Sequence, residues 1–451
     1  MYIIIVGAGK MGSEICLSLS REGHDIALIE KNEDRLNDML NQADITGIVG
    51  NGAFYSCLKQ VEINKCDMFI SVTDSDETNI ISCIIAKKLG AKKVMARVRT
   101  PEYAEDIEFA RESFGINRII NPEREAAREI YRDLQYPGAF SIEPFLSGRI
   151  NLVELAVEKH SLLDGMSLPE FRKEFPGLIM CIIQDENGPI IPSGENSLRA
   201  GQHFYVIGKN EDLNALYKEM KAPDRISSVL IIGGGRIAKY LLHMHKKTGK
   251  SFKLIEREKE IAEDIASSFE KVDVILGDGT NQDLLIEENI HSYDCLIALT
   301  GVDEENIILS MFADQMQVPR TITKVNRTSL LPIALNVGLQ SIITPAKLGA
   351  TAIVRYVRKL SNADSSSDLE SLTRIDDESA EILQFLVKKD FSENNKTLKD
   401  ISFKKQVLVA LINRGGQIIF PTGNDKILEG DSILVVVKNQ NINNLNDLLV
   451  K

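Results

Sequence analysis

The chain repeats itself. Gly7-Ala8-Gly9-Lys10-Met11-Gly12 returns 226 positions later as Gly233-Gly234-Gly235-Arg236-Ile237-Ala238, and Glu30 returns as Glu256 at the same interval. One residue further in register, Gly50-Asn51-Gly52 meets Gly277-Asp278-Gly279. Asp67 to Thr73 meets Asp294 to Thr300, and Asp76, Glu77 and Asn79 meet Asp303, Glu304 and Asn306. Pro192, Gly194 and Gly201 fall on Pro421, Gly423 and Gly430. Self-similarity of this extent means that a whole structural unit has been copied, so any fold must contain that unit twice. Each copy divides into a larger N-part and a smaller C-part. Turn-forming Tyr136-Pro137-Gly138, polar Lys221 to Arg225 and the Ser/Asp-rich stretch Ser361 to Asp368 mark the boundaries. They predict parts at 1–137, 138–222, 223–360 and 372–451, with 361–371 as a flexible linker.

In the first N-part, apolar runs at Tyr2 to Val6, Asp25 to Ile29, Met68 to Val72 and Val94 to Val98 alternate with segments of helical period. Short β-rich runs between helices are what strands buried on both faces of a parallel sheet require. The expected fold is α/β: two Rossmann-like doubly wound parallel-sheet domains, each followed by a small α+β module. In the modules, Leu152 to Val157, Ile179 to Ile183 and His203 to Ile207 read as strands. Leu162 to Phe171 reads as a helix or an extended connector, and Ile382 to Val387, Val407 to Ile412 and Ile433 to Val437 match the first three strands.

Gly7-x-Gly9-x-x-Gly12 directly follows a strand and opens a helix. Gly7 permits the tight turn, Gly9 lets a pyrophosphate approach the backbone, and Gly12 lets the helix pack on the sheet. The free N–H groups of the helix then face the anion. Glu30, at the end of the second strand, is placed to accept hydrogen bonds from ribose hydroxyls and to repel a 2′-phosphate, which favours NAD or an adenosine nucleotide over NADP. Thr73-Asp74 ends the fourth strand and either meets the adenine side of a ligand or opens the next helix. Lys10 and Arg236 touch phosphate or point to solvent, and Arg97 neutralises phosphate or pairs with a carboxylate. Asn51 and Asp278 form turns or touch ligand. Lys324 stands where the first copy has Arg97.

Composition narrows the function. Lys and Arg total 53 against 65 Asp and Glu, for a net charge of −12, so the chain as a whole is not built to attract nucleic acid. The six cysteines lie apart, mostly inside apolar runs, and read as core residues in a reducing cytoplasm; no metal site is expected. Met1 to Gly9 has no signal-peptide pattern, and no apolar run approaches the roughly 20 residues that cross a bilayer. His160 and His203 read as surface residues, since Asp390 and Ser432 replace them in the second copy. A hydride-transfer enzyme places a proton donor or acceptor beside the nicotinamide, and no such constellation recurs. An NAD-dependent oxidoreductase stays as the alternative reading, without catalytic residues to assign.

The tandem of glycine loops, each with Thr73-Asp74-Ser75-Asp76-Glu77-Thr78-Asn79 or Thr300-Gly301-Val302-Asp303-Glu304-Glu305-Asn306 after a strand, resembles the TrkA-type regulatory subunits of bacterial Trk potassium-uptake systems. Members of that family carry two RCK units in one chain. Asn121-Pro122-Glu123 and Thr344-Pro345, before the crossover segments, extend the resemblance along nearly the whole sequence. It implies a non-enzymatic cytoplasmic protein, peripheral on the inner face of the membrane. Such a protein assembles as a homo-oligomeric ring, a tetramer, beneath a Trk-type potassium transporter and changes its gating on binding NAD(H), ATP or ADP. The first site would use Gly7, Ala8, Gly9, Lys10, Met11, Gly12, Glu30, Thr73, Asp74 and Arg97. The second would use Gly233, Gly234, Gly235, Arg236, Ile237, Glu256 and Thr300.

Overall fold

The computed structural model describes all residues except 101–113, 137, 138, 140, 186, 187, 221–225, 246–248, 340, 365–367, 376–379, 439–441, 443 and 451. Two compact units result. One joins Met1–Leu134 with Ile226–Val357, and the other joins Gln135–Arg225 with Arg358–Lys451. The two N-parts therefore share one unit and the two C-parts share the other.

In the first N-part, strands β1 (Tyr2–Val6), β2 (Asp25–Glu30), β3 (Thr46–Val49), β4 (Met68–Ser71), β5 (Lys93–Arg97) and β6 (Arg118–Ile120) form one sheet. Its order is β3-β2-β1-β4-β5-β6, and every pairing is parallel. Ile3, Ile4 and Ile5 are sealed on both faces, which is why the sequence runs apolar here rather than alternating. The polypeptide enters the sheet at its centre, moves to one edge through helices α1 (Lys10–Arg21) and α2 (Glu33–Gln42), then returns through α3 (Tyr55–Gln60) and α4 (Asp76–Lys88) to build the other side. That reversal leaves a crevice at the carboxyl ends of β1 and β4. In the second N-part, Ser228–Ile232, Ser251–Glu256, Val272–Leu276, Cys295–Ala298, Arg320–Lys324 and Ser341–Ile343 repeat the same order in parallel.

After β6 the chain leaves its own sheet. The crossover helix Pro122–Gln135 buries Ala126, Ala127, Ile130 and Leu134 in the core of the second copy, among Val229, Ile231, Leu254, Ile297 and Ile322. Asp133 fastens it there by accepting from the Arg320 guanidinium and the Ser341 hydroxyl. The second crossover helix, Pro345–Asp364, reaches back to the first copy. Gly349 lets it pass so close that an added Cβ would lie 2.9 Å from Met11 Cε, and Tyr356 lies under the Arg118 guanidinium at 4.9 Å. The two N-parts are thus interlocked by exchange of crossover helices.

In the second unit each C-part forms a five-stranded antiparallel sheet. The first has the order Gly188–Ile190, Leu178–Asp185, His203–Gly208, Ile150–Ala156, Ser141–Phe145. The second repeats it with Gln417–Ile419, Val407–Arg414, Ser432–Val437, Ala380–Leu386, Leu369–Ile375. One face of each sheet joins a common core, in which Ile150, Leu152, Ile182 and Ile207 meet Ile382, Leu411, Leu434 and Val436. The opposite face of the first sheet is covered by Phe171 from helix Leu168–Glu174 and by Leu213 and Leu216 from helix Asn210–Glu219. Arg172 donates to Leu178 O (2.6 Å) and to Phe420 O (2.8 Å), tying the sheets at one edge.

The structure differs from the sequence reading in several places. Ser361 to Asp364 end the second crossover helix and a strand starts at Leu369, so much of the stretch read as linker is regular structure. Low apolar content marks a helix end as readily as a loop. Pro137, Gly138 and residues 221–225, read as boundary signals, lie outside the described residues. His160 is exposed in the left-handed region, whereas His203 is half-buried and bonds Glu154 Oε1 through Nδ1 at 2.9 Å.

The exchange of helices makes a direct prediction. Ile130→Ala empties a fully buried position in the core of the other copy and should destabilise the chain by about 2–5 kcal/mol. Urea unfolding measures this, and a midpoint equal to that of the parent would contradict the interlocked core.

Candidate functional site

The two glycine loops have nearly the same geometry. Gly7 takes φ +100° and donates its N–H to Ile29 O at 2.8 Å; Gly233 takes φ +101° and donates to Ile255 O at 2.9 Å. A side chain at either would be strained, because left-handed backbone suits glycine. The acid at the end of the second strand holds each loop. Glu30 Oε2 accepts from Ala8 N–H (2.5 Å) and Oε1 from Asn32 N–H (2.9 Å). Glu256 repeats this with Gly234 N–H (2.6 Å) and Glu258 N–H (2.8 Å), and both acids are only 8% exposed. A carboxylate has about four acceptor positions, so each acid fixes its loop and retains capacity toward a ribose. Around Gly9 and Gly235 an added Cβ would meet nothing within 4 Å, which leaves the backbone open to an incoming group. Gly12 is closed: its Cβ would fall 1.8 Å from Gly7 O.

A second device ties the strand ends beside each loop. Fully buried Asn79 accepts from Thr73 N–H at 2.8 Å and donates to Thr73 O (3.1 Å) and Arg97 O (3.0 Å), lacing β4 to β5. Asn306 does the same with Thr300 N–H (2.8 Å), Thr300 O (3.2 Å) and Lys324 O (3.0 Å). One turn earlier, Asp76 accepts from the N–H groups of Arg99 and Thr100, both at 2.9 Å, and Asp303 from those of Asn326 (2.9 Å) and Arg327 (2.8 Å). Burial raises the affinity of Asp76 for a proton, but bonds from Thr100 and Arg99 outweigh it and hold the carboxyl below its usual range. The helix cap of α4 is Ser75, which accepts from Thr78 N–H at 3.1 Å. The Thr73 hydroxyl turns inward to Asn79 at 2.7 Å.

Against the first loop lies a cleft of about 970 Å³, within the upper range for small-molecule sites. Gly7, Ala8, Gly9, Lys10, Met11, Glu30, Thr73, Asp74 and Arg97 all line it, while Gly12 lies behind the loop. Asn51 also lines it, and its side chain makes a turn by accepting from Ala53 N–H. Five cations, Lys10, Lys31, Arg35, Arg97 and Arg99, face three carboxylates, Glu30, Asp74 and Glu123. The cleft therefore favours an anion although the chain is acidic. Arg97 donates to Thr73 O at 3.3 Å and its Nε is buried without a partner; burial, then neighbouring Arg99, push its proton affinity down. The second cleft is about 180 Å³ and is lined by Gly235, Arg236, Ile237 and Lys324. Gly233, Gly234, Glu256 and Thr300 shape its surroundings but do not line it. The Lys324 ammonium points at Leu299 O (3.4 Å), and burial lowers its pKa.

Several lining residues escape the sequence reading. Lys31 and Arg35 follow the acid and look like ordinary solvated helix charges. Arg99, and Asn326 from the second copy, reach the cleft only because Asp76 and Asp303 bend the chain after the fifth strand. Glu123 belongs to the Asn121-Pro122-Glu123 motif, yet its position depends on the crossover.

The TrkA-N domain family matches residues 3–122 and 229–345, and the TrkA-C domain family matches 152–221 and 394–450. The Trk system potassium uptake protein TrkA homolog of Archaeoglobus fulgidus is 30% identical over 449 residues, spanning 99% of this chain and 100% of its own. The Trk system potassium uptake protein TrkA of Halomonas elongata is 28% identical, spanning 97% and 96%. Among solved structures, the GsuK RCK domain has the same fold with a TM-score of 0.62 and 18% identity, over 97% of this chain and 92% of its own. The GsuK channel bound to NAD gives 0.64 and 18%, over 97% and 77%.

The loop geometry sets the outcome of a small substitution. Alanine is normally favoured over glycine within a helix by about 1 kcal/mol. Gly12→Ala should instead destabilise the chain by about 1–3 kcal/mol, because its Cβ collides with backbone. A thermal midpoint equal to or above that of the parent would contradict this.

Proposed function

The chain belongs to the TrkA family, and on that premise we propose that it is a regulatory subunit whose two clefts bind NAD(H) or an adenine nucleotide and whose occupancy gates a Trk-type potassium transporter in the membrane. The observation that carries this reading is the first cleft: an open glycine loop, a ribose-facing acid and an excess of cations, shared between two interlocked copies. Gly7 to Met11, Glu30, Thr73, Asp74 and Arg97 hold the nucleotide there. Gly12 supports the loop. Gly235, Arg236 and Ile237 form the contact surface of the second site, with Gly233, Gly234, Glu256 and Thr300 around it.

Gating needs no catalytic group. It needs two arrangements of the protein and a ligand that binds them unequally. A tenfold preference per site supplies about 1.4 kcal/mol, so a ring of chains with two sites each accumulates a decisive bias. Among the described residues no helix is long and apolar enough to cross a membrane. In the proposed role, which follows from the family and not from that absence, the subunit acts peripherally from the cytoplasmic side. Exposed apolar side chains recur at matching positions in the two copies, Val49 with Leu276 and Ile81 with Ile308. They support an association surface on each copy, and the proposed assembly is a homo-oligomeric ring, of four chains as the family resemblance implies.

Calorimetric titration with NADH, ATP and ADP tests the reading. Gly9→Val and Gly235→Val insert a side chain where the protein leaves open space, so each should fold normally while blocking its own cleft. Gly9→Val should weaken binding to the first cleft by about 100-fold, or ~2.7 kcal/mol. No binding by the parent chain, or steady substrate-dependent change in NADH absorbance as expected of an oxidoreductase, would overturn the proposal.

A further inference from the structure

The two clefts have a wall in common. Glu123, Asn326 and Pro345 line both the large cleft of the first copy and the small cleft of the second. Glu123 opens the crossover helix Pro122–Gln135, so the helix that locks the copies together also sets this carboxylate between their sites. Its Oε2 is buried and makes no hydrogen bond among the described residues. On one side is Arg97, with its Nε also unpartnered; on the other is Lys324, with one long contact to a carbonyl. The negative charge of Glu123 acts on both cations, opposing the effect of burial on each.

We propose that Glu123 is a counter-ion shared between the clefts and makes their occupancy by anionic nucleotides mutually unfavourable. The inference rests on the nucleotide-binding reading above. With both clefts empty, Glu123 divides its charge between two partly desolvated cations, beside Asp303 at Lys324 and Asp76 and Asp74 at Arg97. A phosphate that enters the first cleft takes Arg97 for itself and repels Glu123, which turns fully to Lys324. The second cleft then presents a neutralised cation, and a second phosphate must displace the carboxylate to bind. The coupling is reciprocal by thermodynamic necessity, so filling the second cleft weakens the first by the same factor. Each chain would therefore carry one tightly held nucleotide over a wide range of concentration.

Calorimetric titration with ADP in chelator-treated buffer tests this on four full-length chains: the parent, Gly9→Val, Glu123→Gln, and Gly9→Val with Glu123→Gln. Blocking the first cleft should tighten the second relative to the second binding event in the parent, by about 5- to 150-fold, the usual span of coupling between sites. With Glu123→Gln in place, blocking the first cleft should leave the affinity of the second unchanged. Glu123→Asp keeps the charge on a shorter arm and should give intermediate coupling, so the test does not depend on one variant. Equal second-cleft affinity in the parent and Gly9→Val would overturn the proposal. So would coupling that survives Glu123→Gln, since the two ligands would then be repelling each other directly. Failure of the parent to bind ADP, NADH or ATP at all would remove the nucleotide reading and this inference with it.

Discussion

The exchange of crossover helices is the constraint on which the nucleotide half of the molecule depends. Ala126, Ala127, Ile130 and Leu134 form an apolar stripe that is buried in the core of the other copy. The clefts follow from this. A Rossmann-like domain alone offers a loop, an acid and an open crevice. Here the far wall is supplied by Pro122 and Glu123, which begin one crossover helix, and by Pro345 and Ala346, which begin the other. The segments that hold the copies together therefore also enclose the ligand space.

Around that space, backbone is positioned by buried acids and amides more than by side-chain packing. Glu30 and Glu256 bind the loops, Asn79 and Asn306 lace the strand ends, and Asp76 and Asp303 turn the chain behind them. Each such group is buried at a cost that only complete hydrogen bonding offsets. Arg97 and Glu123 each keep a buried atom without a hydrogen-bond partner, and so does Asp76 at Oδ1, which has the Arg99 guanidinium 3.7 Å away. Arg97 and Glu123 face the first cleft, where a bound anion or a movement of the carboxylate changes their surroundings.

Much of this was legible in the sequence, for identifiable reasons. The six-residue glycine loops and their distant acids stand at nearly constant spacing, because parallel sheets tolerate little variation in strand and helix length. The central strands, such as Tyr2–Val6 and Cys295–Ala298, are buried on both faces and so read as unbroken apolar runs. Three-residue strands such as Arg118–Ile120 and Ser341–Ile343 are too short for any period to show, and Ser141–Phe145 contains a proline and a glutamate at a sheet edge. Periodicity identifies the apolar face of Pro122–Gln135 but not which sheet receives it. For the same reason the contribution of Glu123 to two clefts at once could not be read from its position in the chain. Asp76 and Asn79 illustrate a subtler limit: near a helix start their residue types suggest capping, whereas Asp76 bonds Arg99 and Thr100 just beyond the next strand and Asn79 reaches Arg97 at that strand's end.

Two copies on one polypeptide differ in kind from two copies on separate chains. In a symmetric dimer every substitution strikes both clefts together, so the pair can only change in step. Covalent fusion frees them: Arg97 stands opposite Lys324, Gly12 opposite Ala238, and open volume is unequally divided. Whatever the number of chains in an assembly, the ratio of the two cleft types is fixed at one to one by the gene itself. Specialisation of one cleft and retention of the other can then proceed by ordinary point mutation, with no risk of forming mismatched partners.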